Sequence, residues 1–379
     1  MSKTSVVVLG CGRVGSAIVR DLDADSGFRV TAVDASTSTL DRLRDTDAER
    51  LQANLTDRDE IFRVIGDADL VVGAVPGAMG HATLRTVIEA GRDVVDISFF
   101  PEDPFTLDAL AKERGVVALV DCGLAPGLSN LLLGRMEAEL DRVERFRCLV
   151  GGLPLERRLP FQYKAPFSPA DVIEEYTRPA RLREAGRDVE RPALSEVELV
   201  DLPGIGTLEA FNTDGLRTVL RTSDVPWMVE KTMRYPGHAD IMRAFRDTGL
   251  FDTVPLDMGG GPVSPRDLTS RLLFEHWGFD DGEPDVSVMR VEVHGEANGE
   301  SAHRVFDLLD HYDPATGTSS MARTTGYTCT ATVRLVAAGL YREPGIAAPE
   351  VLGRNPDAFD FLMDRLAERH ITFRERSAD

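Results

Sequence analysis

The residues with the clearest chemical purpose are Gly10-Cys11-Gly12-Arg13-Val14-Gly15, a G-x-G-x-x-G run. The run follows the β-branched stretch Val6-Val7-Val8-Leu9 and opens an apolar-periodic helix, the context that gives this motif its meaning. In such a turn Gly10 permits the bend, Gly12 lets the backbone approach a pyrophosphate, and Gly15 lets helix and strand close up. The free N–H groups at the helix start then face phosphate oxygens. A second strand, from Phe28, ends at Asp34, 19 residues after Gly15. A carboxylate there hydrogen-bonds an adenosine ribose and repels a 2′-phosphate, so NAD is expected over NADP. Arg13 supplies a counter-charge for phosphate, and Val14, Ala35 and Asn54 belong to the same expected cofactor set.

Three further loops fall where ligands collect, beyond the carboxyl ends of parallel strands. They contain Ala74-Val75-Pro76, then Asp96 to Phe100, then Asp121-Cys122-Gly123 through Asn130. Small residues and prolines suit a backbone lying against ribose and nicotinamide. Asp121 is the acid expected near the nicotinamide, and Gly123 borders it.

The elements that must position these loops follow from periodicity. Strands and helices alternate through residues 1–121, with strands at 28–33, 50–53, 69–75, 94–97 and 116–120, which predicts a doubly wound parallel (Rossmann) sheet of six strands. A helix over 126–140 leaves that sheet. Beyond it Arg and aromatic residues increase and strands are expected at 143–150, 196–202 and 207–211. Residues 286–297 and 301–312 read as a hairpin turning at Asn298-Gly299. The fold class is therefore α/β with a second, largely antiparallel α+β domain. The expected division is 1–125 for the dinucleotide, 126–319 for substrate and oligomer contacts, 320–345 packing back on the first domain, and a terminal helix and tail over 346–379.

Composition limits the partners. The chain has 379 residues and a net charge of −20, from 63 acids against 43 bases. Nucleic acid is excluded as a main partner, because phosphate backbones need a basic face. No apolar run reaches the ~18 residues of a membrane span, and the first strand starts almost at once, so a cytoplasmic protein is expected. Four scattered cysteines form neither a disulfide framework nor a zinc pattern, and no metal is expected.

The stretches V-V-L-G-C-G-R-V-G and D-C-G-L-A-P-G-L-S-N resemble the saccharopine dehydrogenase-like NAD(P)-binding enzymes. Four longer ones, PFQYKAPFSPADVIEEYTRPARLREAG, LSEVELVDLPGIGTLEAFNTDGLRTVLRT, VPWMVEKTMRYPGHAD and MARTTGYTCTATVRL, are similar to the branch that deaminates the ε-amine of L-lysine. The likeness covers about residues 5 to 343. It implies NAD-dependent oxidation of that amine to allysine, with loss of ammonia. A saccharopine- or carboxynorspermidine-type reaction is the alternative, and a non-catalytic NAD sensor the reading from another class.

Such chemistry needs a proton acceptor, because an alkyl ammonium has a pKa of about 10.4 and must be neutral before hydride leaves its carbon. Only Lys3, Lys112, Lys164 and Lys231 among the 43 cations are lysine. Arginine does not release its proton in a protein, whereas a desolvated lysine does. Lys164 is expected in an apolar setting made by Phe161, Tyr163 and Phe167. His238, after Pro236-Gly237 and two residues before Asp240, is the histidine chosen among seven. Asp121 completes the catalytic set. Arg178, Arg221 and Arg323 are candidates for the substrate carboxylate. Tyr163, Lys231 and the hydroxyls of Thr177, Thr222, Thr324 and Thr325 complete the expected substrate site. Exposed edges of the second sheet point to a homodimer or larger homo-oligomer.

Overall fold

Six strands alternate with helices at the start of the computed structural model, which describes residues 3–165 and 169–377. The strands are β1 (Thr4–Leu9), β2 (Phe28–Asp34), β3 (Glu49–Gln52), β4 (Leu70–Gly73), β5 (Asp93–Asp96) and β6 (Val117–Leu119). The connecting helices are α1 (Arg13–Asp23), α2 (Thr37–Asp41), α3 (Arg58–Ile65), α4 (Gly77–Glu89) and α5 (Asp108–Arg114), followed by α6 (Leu128–Glu139). All neighbouring strands are parallel, in the order β3-β2-β1-β4-β5-β6. The order reverses between β1 and β4, which puts the ligand crevice of such a sheet at their carboxyl ends. Val7, Leu9, Val71, Leu84 and Val94 are buried in one core of this sheet.

The chain then builds a second sheet from β7 (Arg142–Pro154), β8 (Ala180–Glu184), β9 (Arg187–Arg191), β10 (Glu198–Leu202), β11 (Gly206–Asn212) and β12 (Trp227–Arg234). A separate two-stranded arm, β13 (Leu256–Asp257) and β14 (Pro262–Val263), precedes the long hairpin β15 (Asp285–Ala297) and β16 (Glu300–His311). Helices α7 (Pro169–Thr177), α8 (Val219–Thr222), α9 (His238–Asp247) and α10 (Pro265–Trp277) lie among these strands in the sequence. Asn298 and Gly299 both have positive φ, 54° and 77°, as a two-residue hairpin turn requires. The sheet is antiparallel except for β12 beside β7, so it is mixed.

After α11 (Ser320–Ala337) the chain adds β17 (Gly345–Ala347) parallel to β6, then α12 (Pro349–Gly353) and α13 (Pro356–Ala367). The last strand, β18 (Arg374–Ser377), pairs antiparallel with β16. The parallel sheet thus has seven strands, not six. The seventh is three residues long, too short for its pattern to stand out. Two compact units result: Met1–Glu139 with Ala322–Thr372, and Leu140–Met321 with Phe373–Asp379. The helix α6, assigned by sequence to the second domain, lies in the first unit, as do β17, α12 and α13.

Candidate active site

In the first unit the glycine turn is built by close main-chain contact. Gly10 has φ 94°, and a Cβ there would run into the Ala74 carbonyl oxygen. A Cβ on Gly15 would strike the Gly10 carbonyl oxygen. Around Gly12 nothing lies within 4 Å of such an atom. The turn therefore packs tightly against β4 on one side and is open at Gly12, as approach of a pyrophosphate demands. Gly12 is the N-cap of α1 and makes no side-chain cap. Asp34 braces the same turn: Cys11 N–H donates to its Oδ2 at 2.8 Å and Ser36 N–H to its Oδ1 at 2.8 Å. The Cys11 thiol is buried, and burial with the Asp34 charge pushes its pKa up to about 12, so it is not a nucleophile.

Ala74, Val75 and Pro76 lead into α4, next to the turn. Asn54 accepts the Thr56 N–H at 3.1 Å, which fixes the loop after β3. Asp121, at the end of β6, is 3% exposed with φ 55°. A non-glycine residue held in the left-handed region is a feature of functional loops, although Asp tolerates it better than most. Gly123 follows, and a Cβ on it would lie 3.3 Å from the Thr325 methyl. Helix α11 thus borders this loop, and at Gly326 it also lies against Val14, Ala17 and Ile18 of α1. The sequence-chosen cofactor residues share one end of one sheet.

The second unit carries a buried polar cluster on one face of its sheet. In β12 side chains alternate, so Glu230, Thr232 and Arg234 share a face while Lys231 and Met233 take the other. The Arg234 guanidinium is 4.5 Å above the Tyr163 ring and donates to Glu175 Oε2 at 2.7 Å and to the Met233 carbonyl at 3.0 Å. Burial opposes its charge, yet Tyr163, Tyr176 and Glu175 together hold it ionised. Thr213 Oγ1 donates to Glu230 Oε2 at 2.6 Å and lies 2.8 Å from the Thr232 hydroxyl. Gly215 has no room for a side chain, because a Cβ would collide with the Glu230 carboxyl. Burial pushes the Glu230 pKa up to about 8, helped by Glu175 and Asp214 and opposed by the Thr213 hydrogen bond.

His238 opens α9, whose first N–H groups are held by Glu209: Gly237 at 2.9 Å and Ala239 at 2.5 Å. Its Nε2 is 2.9 Å from Tyr176 Oη and its Nδ1 3.0 Å from the Phe161 carbonyl. A carbonyl only accepts, so Nδ1 carries the proton and Nε2 accepts from the tyrosine. Burial, then Arg234, push the imidazole pKa down to about 3. Trp277 closes the aromatic wall around Tyr163, Tyr176 and Phe161, with ring centroids 5.3 to 6.4 Å away. Its Nε1 and Arg234 Nε are buried and have no hydrogen-bond partner among the described residues.

Several sequence-chosen residues take other parts. His238 is no open base, since both ring nitrogens are engaged; it orients Tyr176. Lys164 pairs with Glu283, its Nζ 5.7 Å from the Phe279 ring centroid. Phe167, the third member of the apolar setting expected around Lys164, lies outside the described residues. Lys231 is on the sheet face opposite Glu230, bound to Glu198 at 2.7 Å and to the Glu196 carbonyl at 2.7 Å. Arg178 does reach the cluster's margin, 4.0 Å from Asp214, which Arg181 clamps through Oδ1 at 2.9 Å and Oδ2 at 2.8 Å. Arg221 is exposed, and Thr222 and Thr177 turn their hydroxyls back to the Thr218 and Ile173 carbonyls. Arg323 donates to the Arg369 carbonyl at 3.0 Å, while Thr324 is fully buried. Glu230, Arg234, Glu175, Tyr176 and Thr213 were not singled out by sequence. The one signal is for the strand residues: the period-two spacing of Glu230, Thr232 and Arg234 in β12. Among the described residues no group of three or more His, Cys, Asp or Glu could hold a metal ion. No helix of them is long and apolar enough to cross a membrane.

Comparison with known proteins agrees with this architecture. Residues 6–119 match the family model of the saccharopine dehydrogenase NADP binding domain, and residues 123–371 that of the saccharopine dehydrogenase C-terminal domain. The chain is 21% identical to the saccharopine dehydrogenase [NADP(+), L-glutamate-forming] of Saccharomyces cerevisiae, over 97% of each chain. It is 24% identical to the alpha-aminoadipic semialdehyde synthase of Arabidopsis thaliana over 66% of its length, and spans only 27% of that relative. The solved apo saccharopine dehydrogenase (L-Glu forming) of S. cerevisiae has the same fold, with a TM-score of 0.81 at 19% identity, covering 99% of this chain and 100% of that one. With a nicotinamide dinucleotide domain at its head and two family models spanning most of its length, the chain belongs to the saccharopine dehydrogenase family of oxidoreductases.

Proposed function

We propose that the protein is an L-lysine 6-dehydrogenase, which oxidises the ε-amine of L-lysine with NAD⁺ to allysine, ammonia and NADH. The observation that carries this reading is the fate of the lysine-branch stretches quoted above. Three of the four supply the buried cluster: Tyr163, Glu175 and Tyr176 from the first, Thr213 and Asp214 from the second, and Glu230, Thr232, Arg234 and His238 from the third. NAD rather than NADP is supported by Asp34, whose charge at the ribose end of the site disfavours a 2′-phosphate.

The residues present fit a dinucleotide, because the turn at Gly12 is open and capped by a helix N-terminus. When bound, NAD⁺ accepts the hydride from the substrate carbon. This chain's own residues have the proton work. Glu230, with its pKa near the working range, is our candidate to take the ammonium proton. Its Thr213 hydrogen bond fixes the carboxyl, and Arg234, paired with Glu175, lies on the same strand face. The oxidised substrate, an iminium, then takes up water and expels ammonia. The resulting allysine closes on its α-amine with loss of water to piperideine-6-carboxylate. The optimum is alkaline, since both the substrate amine and Glu230 must lose protons.

Saccharopine as substrate is the second reading, supported by the full-length relative of that name. Purified protein with NAD⁺ and L-lysine is expected to raise absorbance at 340 nm, and with NADP⁺ and saccharopine to leave it flat. The reverse result would transfer the assignment to the second reading.

A further inference from the structure

Apart from the buried cluster, the second unit holds a cavity of about 320 Å³ between the 192–197 loop and helix α9, which contributes Arg243 and Arg246 to its wall. That volume is at the small end of ligand pockets. The loop is held in a shape it would not take unaided. Leu194 and Glu196 have φ of 61° and 50°, a region costly for side chains of this size. Leu194 N–H donates to the Asn212 carbonyl and Asn212 N–H to the Ser195 carbonyl, both at 3.1 Å. Asn212 Nδ2 also donates to Ser195 Oγ at 3.1 Å, and Lys231 Nζ to the Glu196 carbonyl at 2.7 Å. The Leu194 side chain is buried in the aromatic core. A wall fixed in this way from β11, β12 and the core is preorganised, so a ligand need not order it. The two guanidiniums are unevenly satisfied. Arg246 donates to the Ala193 carbonyl at 2.5 Å and to Asp247 at 2.9 Å. Arg243 meets Asp240 at 3.3 Å, and its Nε is shut off from solvent with no hydrogen-bond partner among the described residues.

We propose that this cavity binds a small organic monocarboxylate, free amino acids included, with its carboxyl on Arg243 and Arg246 and its apolar part against Pro192 and Val197. The planar fork of a guanidinium matches a carboxylate in shape and charge. Asp240 and Asp247 offset part of the positive charge, and Glu196 stands in the same wall, so a dianion such as phosphate meets opposing charge there. The Glu196 carboxylate, 3.5 Å from Arg191 and half exposed, is available to an α-ammonium when the ligand has one. The inference is independent of the substrate assignment, since no residue of this wall belongs to the buried cluster.

Calorimetric titration of the full chain, without dinucleotide, with isovalerate and with L-leucine tests it. Binding is expected, whereas sodium phosphate at matched ionic strength should give only the heat of dilution. Arg243→Gln should weaken binding by about tenfold or more, the worth of one charge-assisted contact. Val197→Asp alters a side chain that is 39% exposed and leaves the core untouched, and its added carboxylate should abolish binding. Arg271→Gln, an exposed arginine of α10 outside the cavity, should bind as the wild type does. Binding of isovalerate, with or without L-leucine, supports the carboxyl contacts; binding of L-leucine alone supports them together with an ammonium on Glu196. No heat from either probe, phosphate binding as well as they do, unchanged affinity in Arg243→Gln and Val197→Asp, or an equal loss in Arg271→Gln would each overturn the proposal.

Discussion

The two units build their sites from different materials. In the first, the cofactor turn is made of main chain. Gly10, Gly12 and Gly15 act by having no side chain, and the functional groups are N–H donors fixed by α1. In the second, the cluster is made of side chains gathered from four separate segments around residues 163, 175, 213 and 234, and the sheet serves only to bring them together. A main-chain site fails when an atom is added. A side-chain site fails when a proton or a charge is changed.

That contrast orders the tests. The largest effect is expected from Gly15→Ala, whose Cβ would meet the Gly10 carbonyl. Dinucleotide affinity should fall at least a hundredfold by calorimetric titration while tryptophan emission, which arises entirely in the second unit, is unchanged. Retained affinity would mean that the turn is not the binding element. Next is Glu230→Gln, which removes the titratable group and changes the volume very little. It should cut kcat by roughly 10²- to 10⁴-fold, as loss of an acid–base group does, and leave NAD affinity intact. The same change has a stability signature. Glu230 has a folded pKa near 8, above its unfolded value, so the native state holds the extra proton between about pH 4.5 and 8. Wild-type stability therefore falls as pH rises through that window, and Glu230→Gln should flatten the fall in a melting series.

Asp34→Ser sharpens the cofactor side. It removes the charge opposing a 2′-phosphate and should shift the NAD to NADP preference in kcat/KM by about tenfold or more toward NADP. His238 offers a stability effect of opposite sign to that of Glu230. Its pKa is pushed down to about 3, so the unfolded chain binds the extra proton below pH 6.5. Its contribution to stability is lost as pH falls, by about 1.4 kcal/mol per pH unit, and His238→Asn should lack that slope. Lys231→Met is the smallest test. Losing its ion pair with the half-exposed Glu198, which Arg147 still holds, should cost up to about 1 kcal/mol of stability with kcat nearly unchanged, because the side chain is on the far face of the sheet.

How much was legible in the sequence follows the same division. The glycine turn, Asp34 and the parallel order were readable because each is local: a strand, a turn and a helix in immediate succession. The hairpin at Asn298-Gly299 was readable for the same reason. The cluster was not, since Thr213, Glu175 and Arg234 are unexceptional residues until β11, α7 and β12 bring them together. Lys231 shows how narrow the margin is. Its rarity drew attention, but chemistry on a strand depends on parity, and its neighbours Glu230 and Thr232 have the face that it lacks. For Lys164 the aromatic sequence neighbours were readable, but not its partner Glu283, which lies 119 residues on. Strand β17 was missed because three residues carry no period.

The short strand β18 has a practical meaning for anyone shortening this chain. It hydrogen-bonds along the outer rim of β16, from Arg304 to Asp307, and adds ionic contacts between Arg376 and Asp307 and between Arg304 and Glu375. Trimming the chain after Thr372 would leave the whole of the first unit in place and yet strip the selvedge from the second, inviting stray strands to stack there. Insolubility after such a cut would be a fault of the unguarded hem, not of the fold.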